Sequence, residues 1–196
     1  MSQLIISIGR ECGSGGHEIA QKLSEIYNIP LYDRNILKEI SDEKNLDHES
    51  LAKYDEVKKK SIFARRVRGL NNCPAHNVAQ LQFEFLKKKA NAGESFVVVG
   101  RCAETILKGH AALVSVFVLG DRDAKVKRVM EYLNNSWDEA AEIVDSKDEA
   151  RKQYHNSHCN TKWGDSRNYD LSINSSRLGI EKTLDYIVDY INARKN

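Results

Sequence analysis

The fold is decided by residues 4–20, which read Leu4-Ile-Ile-Ser-Ile-Gly-Arg-Glu-Cys-Gly-Ser-Gly-Gly-His-Glu-Ile-Ala20. An apolar run ends at Gly9, glycines recur over residues 13–16, and apolar residues then return at helical spacing. This pattern predicts a strand, a tight loop and a helix. A glycine-rich loop exposes backbone N–H groups, and the helix after it points its positive end at the same place. The stretch therefore predicts a phosphate site.

The composition bounds the class of protein. A chain of 196 residues, 41% hydrophobic and 30% charged, fits one domain with a sizeable core. The formal net charge of +2 is near balance and does not favour nucleic-acid binding. Basic residues cluster locally at 58–60, 65–68 and 87–89, which would suit a small phosphorylated ligand.

Localisation is predicted from what the sequence lacks. No apolar run approaches the roughly 20 residues that span a membrane, and the N-terminus shows no signal-peptide pattern. We therefore expect a cytoplasmic protein with no membrane partner. The four cysteines form no paired motif, so we expect reduced thiols.

A few histidines and cysteines have a spacing that metal sites use. These are His155, His158 and Cys159, which Cys73 and His76 could join. None of them forms a paired-ligand knuckle, so we predict no metal site.

Apolar periodicity predicts strands that alternate with helices, and hence an α/β fold with a parallel sheet between helices. The predicted strands cover residues 4–9, 31–32, 95–100, 113–119 and 168–174. The predicted helices cover about 16–27, 34–42, 47–60, 78–92, 102–108, 122–134, 137–156 and 179–193. Residues 65–77 break the pattern and are predicted to form a loop.

Ligands of such sheets bind at the carboxyl ends of the strands. Four parts of this chain are predicted to meet there: the glycine loop, Asp33, Gly100-Arg101 and residues 174–176. That convergence supports a site more strongly than any single motif does.

The glycine loop departs from the usual phosphate-binding consensus, Gly-x-x-x-x-Gly-Lys-Ser/Thr. Gly16 stands in place of the lysine, and His17 stands in place of the serine or threonine. Backbone N–H groups and the helix dipole need no side chain, so the loop can still bind an anion. Arg10 or His17 could supply the missing positive charge. The alternative is a merely structural turn.

Two strand ends carry candidate side chains. Asp33 could orient a phosphate acceptor or bind a magnesium-held water, and its alternative is the N-cap of the next helix. Arg34 beside it is a candidate acceptor ligand or a solvated surface charge. Arg101 could grip phosphate or a base edge with its planar guanidinium, and its alternative is a structural ion pair.

Four arginines lie in or near the polar helices late in the chain. Phosphoryl transfer needs positive charge around the moving group, and a helical lid can supply it while it excludes water. Arg128 and Arg151 are the best two candidates; the others are Arg122 and Arg167. Trp163 is predicted to be a packing anchor at the base of this lid rather than a base-stacking platform.

Several stretches together resemble the cytidylate kinase-like family, within the nucleoside monophosphate kinase group of P-loop folds. They occur in the family's order along nearly the whole chain. They are Ser7–Ala20, Ile29–Asp33, Val98–Arg101, Trp163–Asp165 and Tyr169–Ile180.

The resemblance implies a P-loop three-layer fold in a single domain, residues 1–196. It implies a five-stranded parallel sheet, a helical acceptor-binding insertion over about 34–92 and a helical lid over about 125–165. It also implies ATP and Mg²⁺ as cofactors. The donor phosphates would lie on Gly13, Ser14, Gly15, Gly16, His17 and Glu18, with Ser176 beside the adenine, Arg101 facing the acceptor and Arg128 and Arg151 in the lid.

We therefore expect an ATP-dependent phosphotransferase, and CMP or dCMP is the acceptor that the resemblance implies. Cytidylate kinases differ from this chain at Gly16, where they carry lysine, and at Cys102, where they carry aspartate. The missing lysine keeps a second hypothesis open, a nucleotide-binding sensor or partner module without turnover. The atypical insertion at 43–77 keeps a third one open, a kinase for another small acceptor.

Overall fold

The computed structural model describes residues 2–33, 35–44, 66–67, 70–71 and 74–195. The strands within these ranges are β1 (Ile5–Arg10), β2 (Leu31–Tyr32), β3 (Arg66–Val67), β4 (Leu70–Asn71), β5 (Phe96–Val99), β6 (Leu113–Leu119) and β7 (Leu171–Asn174). The helices are α1 (Gly16–Tyr27), α2 (Ile36–Lys44), α3 (Pro74–Asn91), α4 (Ala103–Ile106), α5 (Arg122–Leu133), α6 (Trp137–His158) and α7 (Ser175–Lys195), with a 3₁₀ turn at Ser166–Asn168.

Five strands form one parallel sheet in the order β2-β5-β1-β6-β7. Strand β1 lies at the centre, where Ile5 is in register with Phe96 of β5 on one side and with Leu113 of β6 on the other. This confirms the predicted α/β fold. A strand in this position is covered on both faces, which explains its nearly unbroken apolar sequence.

The two faces of the sheet carry separate parts of the core. Ile6 and Ile8 point to the face covered by α1 and α7, where they pack among apolar side chains such as Leu23 and Ile187. Ile5 points to the other face and packs among residues of α2, α3 and α4. This is the two-residue alternation of a strand, and it fixes the three-layer arrangement.

Helices α5 and α6 form a smaller cluster against the glycine loop. Val126 and Val129 of α5 pack with Ala140 and Val144 of α6, and Cys12 of the loop lies in the same cluster. Cys12 is therefore a buried packing residue, and burial raises the pKa of its thiol. The contact sets the two helices of the predicted lid directly beside the loop.

The structure corrects the prediction of a loop over 65–77. Its described residues include the antiparallel pair of β3 and β4, and α3 begins at Pro74. Proline is well suited to the first turn of a helix, where its missing N–H has no partner to lose. The last strand is also shorter than predicted: Asn168 belongs to the 3₁₀ turn capped by Asp165, and β7 begins only at Leu171.

Some predictions fall outside the described residues. These include the helix at 47–60, most of the insertion at 43–77, Arg34 and Cys73. Among the helices that are described, none has the length and apolar character needed to cross a membrane.

Candidate functional site

The glycine loop connects the end of β1 to the first turn of α1. Gly13 and Gly15 have φ angles of 75° and 78°, in the left-handed region that favours glycine. A Cβ on Gly13 would lie 2.5 Å from the carbonyl oxygen of Lys125. The glycines therefore let helix α5 approach the loop backbone.

Arg128 reaches the loop from α5. A Cβ on Gly15 would collide with Nη1 of Arg128 and with the side chain of Ile180. Nη1 of Arg128 is buried and has no hydrogen-bond partner among the described residues. A buried cationic donor without an acceptor is costly, so this atom marks a place where an anion fits.

Lys125 forms a second cationic centre at the loop, which sequence reasoning missed. Its Nζ lies 2.9 Å from Glu11 Oε2 and 3.0 Å from Asp148 Oδ2, and the residue is only 7% exposed. Burial would lower the pKa of Lys125, but the hydrogen bonds with Glu11 and Asp148 outweigh it and raise that pKa. The sequence feature that could have indicated this role is that Lys125 lies on the same buried face of α5 as Val126 and Val129.

Other residues predicted to bind the donor hold the site together. Ser14 Oγ donates to the carbonyl oxygen of Glu11 at 2.9 Å, and Ser176 Oγ accepts from the N–H of Asp121 at 3.0 Å. Gly16 begins α1 and lies against Arg10, and Glu18 is an exposed carboxylate in the first turn. The backbone of the loop thus offers more to an anion than its side chains do.

Asp33 lies at the end of β2, as predicted. Its Oδ1 accepts from the N–H of Asn35 at 3.1 Å, which closes a turn and is not the N-cap of α2 weighed as an alternative, because the Asn35 carbonyl accepts the first hydrogen bond of that helix. Its Oδ2 lies 3.8 Å from Nε2 of His17. One carboxylate oxygen therefore caps the turn, and the other faces the start of α1.

A pocket opens beside the loop, between the carboxyl ends of β1 and β5. It is a cleft open to solvent and not an enclosed cavity, and the empty space in it, open solvent included, is about 380 Å³. Arg10, Arg101 and Arg151 all line it. Gly100, at φ 73°, allows this crowding, because a Cβ there would collide with Nη1 of Arg10.

Arg151 links the pocket to the loop. Its Nη1 donates to the carbonyl oxygen of Arg10 at 3.3 Å and lies 3.7 Å from Asp148 Oδ1. Arg122 and Arg167, in contrast, point outward, are 54% and 85% exposed, and pair with aspartates. The four arginines of the late helices therefore separate into two that face the site and two that face solvent.

Aromatic residues form one wall of the pocket. Trp163 and Tyr169 line it, and both rings pack on Phe117, at centroid distances of 5.4 and 5.0 Å. Burial raises the pKa of Tyr169 well above its usual range, so its phenol stays protonated. Trp163 is a packing anchor, as predicted, and it also presents a ring to the pocket.

A buried cluster of sulfur, imidazole and carboxylate groups lies at the far side of the pocket. His155 Nε2 is 2.7 Å from Glu104 Oε1. Burial would lower the pKa of His155, but hydrogen bonds with Cys159 and Glu104 raise it to about 10. A hydrogen bond from Cys102 lowers the pKa of the Cys159 thiol.

The makeup of this cluster differs from the group singled out in the sequence. Cys102, 53 positions before His155 in the chain, joins His155 and Cys159. His158 instead packs edge-on against Phe83 at a centroid distance of 6.0 Å, and the side chain of His76 is among those not described.

Similar proteins of known structure were found by comparison. An uncharacterized protein from Eubacterium ventriosum is 40% identical to this chain, covers 97% of it and 99% of its own length, and superposes with a TM-score of 0.77. Shikimate kinase from Bacteroides thetaiotaomicron is 12% identical over 96% of this chain and 98% of its own, with a TM-score of 0.56. Shikimate kinase from Acinetobacter baumannii in complex with shikimate is 12% identical over 99% of this chain and 96% of its own, with a TM-score of 0.55. The two shikimate kinases show the fold alone.

Among curated proteins, no match to the chain was found. In contrast, residues 5–177 match the model of the cytidylate kinase-like family. The match includes the glycine loop, the lining of the pocket and helices α5 and α6. The chain therefore belongs to the cytidylate kinase-like family, and its family and P-loop fold support a kinase-type phosphotransferase.

Proposed function

We propose that this protein transfers the γ-phosphoryl group of ATP to a nucleoside monophosphate, with CMP or dCMP as the first acceptor to test. The observation that carries the proposal is the buried Nη1 of Arg128, which lies over Gly15 without a hydrogen-bond partner in the described part of the chain. A triphosphate on the loop would supply the missing acceptor.

The donor side of the proposed site is the glycine loop with the first turn of α1. Backbone N–H groups from Gly13 to Glu18 and the positive end of α1 suit the phosphates of ATP. Magnesium would be held mainly by phosphates and waters, as is usual for this ion. Asp33 is the proposed ligand of one such water, because its Oδ2 faces His17 rather than a backbone group.

The acceptor side is the pocket. Arg10, Arg101 and Arg151 would bind the anionic phosphate of the acceptor, since guanidinium groups pair well with phosphate oxygens. The ring of Trp163 would also pack against the base, a role that the sequence did not favour and that its place in the pocket lining now supports. The sequence suggested that Arg10 binds the donor nucleotide. We assign it instead to the acceptor nucleotide, because its guanidinium lies beside Gly100.

The chemistry needs no covalent intermediate on the protein. An acceptor phosphate oxygen attacks the γ-phosphorus, the bond from that phosphorus to the β–γ bridging oxygen breaks, and ADP leaves. Arg128 and Arg151 flank the space between loop and pocket and would stabilise the charge on the transferred group. Helices α5 and α6, which pack against the loop at Cys12, would help to exclude water from that space.

The test is ATP consumption in the presence of Mg²⁺ against a panel of nucleoside monophosphates and small alcohols. We expect turnover with a pyrimidine monophosphate. Arg128→Ala should lower kcat/KM by roughly tenfold to a hundredfold, the effect of losing one charged hydrogen bond. Arg122→Ala is the matched control on the same helix and should retain activity, since that side chain pairs with Asp145 in solvent.

A second candidate is a nucleotide-binding module without turnover. The observation that favours it is the engagement of the loop by its own protein: Asp148 accepts from the N–H of Cys12 at 2.6 Å. If ATP binds but no acceptor on the panel is phosphorylated, this candidate replaces the first. Phosphorylation of an alcohol alone would instead favour a kinase for another small acceptor.

A further inference from the structure

The cluster of Cys102, His155 and Cys159 is not used by the proposed phosphoryl transfer. The three possible ligand atoms, two sulfurs and an imidazole nitrogen, all lie within 4.8 Å of one another. Ligand atoms around a tetrahedral zinc ion lie roughly 3.4–3.8 Å apart, so side-chain rotations of about 1 Å would close the group around a metal. We propose that Cys102, His155 and Cys159 form a Zn²⁺ site, replacing the prediction of no metal site.

Two separate segments of the backbone position the three residues. His155 lies in the last turn of α6 and Cys159 is its C-cap residue, joined by a hydrogen bond of 2.9 Å from the Cys159 N–H to the His155 carbonyl oxygen. Cys102 comes from the turn after β5, where its φ is 55°. A non-glycine residue in the left-handed region is uncommon, so its strain is consistent with a functional position.

Glu104 supplies the outer shell that histidine ligands of metals usually have. Its Oε1 lies 2.7 Å from His155 Nε2, and the two side chains are 3% and 5% exposed. Such a carboxylate fixes the orientation of the imidazole and increases its basicity. Nε2 is held by Glu104, so Nδ1 is the nitrogen assigned to the metal, and its 3.3 Å contact with Asn156 Oδ1 would have to give way when the ion binds.

The ligand chemistry selects the ion. Two thiolates and one imidazole favour Zn²⁺ over Mg²⁺ or Ca²⁺, which prefer oxygen ligands. Cys102 and His155 line the pocket, so water can reach a fourth coordination position from there. The ion would tie the end of α6 to the turn that carries Arg101, and so fix one wall of the acceptor pocket.

The experiment uses the full chain, reduced and stripped of metal by a chelator. We expect one equivalent of Zn²⁺ to bind in equilibrium dialysis, and Co²⁺ to give intense visible bands of tetrahedral geometry with near-ultraviolet thiolate-to-metal absorption. Cys102→Ser and Cys159→Ser should each lose the thiolate absorption. Glu104→Gln should weaken metal binding by about 10- to 100-fold.

Two controls separate this site from its neighbours. His158→Gln and Cys12→Ser should bind Co²⁺ as the unmodified chain does, since neither residue belongs to the cluster. Circular dichroism and the metal-free Tm establish that each variant folds.

The proposal is overturned if the reduced chain binds no metal, whether or not a Cys102–Cys159 disulfide forms in air. The readout needs neither ATP nor an acceptor, so failure here is distinct from failure of the kinase proposal.

Discussion

Asp148 of α6 accepts a hydrogen bond of 2.6 Å from the backbone N–H of Cys12, at the entry of the glycine loop. The other oxygen of the same carboxylate lies 3.0 Å from Nζ of Lys125. The loop is thus engaged by a carboxylate of its own protein. A triphosphate that binds to the loop would meet this negative charge, and the aspartate is expected to limit its affinity.

Asp148→Asn is therefore expected to bind ATP more tightly, by about tenfold, or ~1.4 kcal/mol. The amide keeps the shape of the side chain but removes its charge. Asp145→Asn, three residues earlier on α6, is the control, because that carboxylate pairs with Arg122 in solvent. Isothermal titration with a non-hydrolysable ATP analogue measures both, and an unchanged or weaker affinity of Asp148→Asn contradicts the prediction.

Lys125 is expected to be a major source of stability. Lys125→Met leaves Glu11 and Asp148 without the cation that both of them contact. Removing one partner of a buried ionic group typically costs about 3 kcal/mol or more. Urea denaturation should show a loss of this size, whereas Lys127→Met, at an exposed position on the same helix, should change the free energy of unfolding little.

The unmodified chain and Lys125→Met also test how the contribution of Lys125 to stability depends on pH. Hydrogen bonds with Glu11 and Asp148 raise the pKa of Lys125 in the folded protein above its ordinary value of 10.5. A raised pKa means that the native state holds the proton more tightly, so this contribution is complete below 10.5 and is lost as the pH rises through the folded pKa. The difference in unfolding free energy between the unmodified chain and Lys125→Met should therefore shrink above pH 10.5. A difference that grows there has the wrong sign.

The sheet was predictable from the sequence because its central strands are buried on both faces. Leu113–Leu119 is a run of this kind, and its bounds match the prediction. Strands β3 and β4 were not predictable, because two residues each, Arg66–Val67 and Leu70–Asn71, are too short to show a period.

Two parts of the candidate site could be predicted from the sequence: the glycines of the loop, and Gly100-Arg101 at the end of β5. Lys125 and Asp148 were missed because charged residues on polar helices usually face solvent. Cys102 was missed as a neighbour of His155 because contacts that only the fold creates leave no mark in local spacing.

The shape of the loop gives a prediction with a closely matched control. Gly15 and Gly109 have φ angles of 78° and 87°, so alanine at either position costs roughly 1–2 kcal/mol of backbone strain. Only at Gly15 would the new Cβ meet other groups, Arg128 Nη1 and Ile180, since a Cβ on Gly109 has nothing within 4 Å. Both variants should lose stability through backbone strain, and Gly15→Ala should lose more because its Cβ also collides with Arg128 and Ile180. Only Gly15→Ala should lose ATP binding. Equal ATP affinities in the two would argue against the loop as the donor site.

Acceptor binding can be followed through one of the two tryptophans. Trp163 lines the pocket and packs on Phe117, whereas Trp137 is an exposed residue at the start of α6. A nucleoside monophosphate that packs against Trp163 should change its fluorescence, with a midpoint at the Kd of the acceptor. Trp137→Phe should keep the whole change, and Trp163→Phe should lose it. Arg101→Met should move the midpoint to higher acceptor concentration by about tenfold or more, since a charged hydrogen bond contributes roughly 1.5–3 kcal/mol. A change that survives in Trp163→Phe and disappears in Trp137→Phe would place the acceptor outside this pocket.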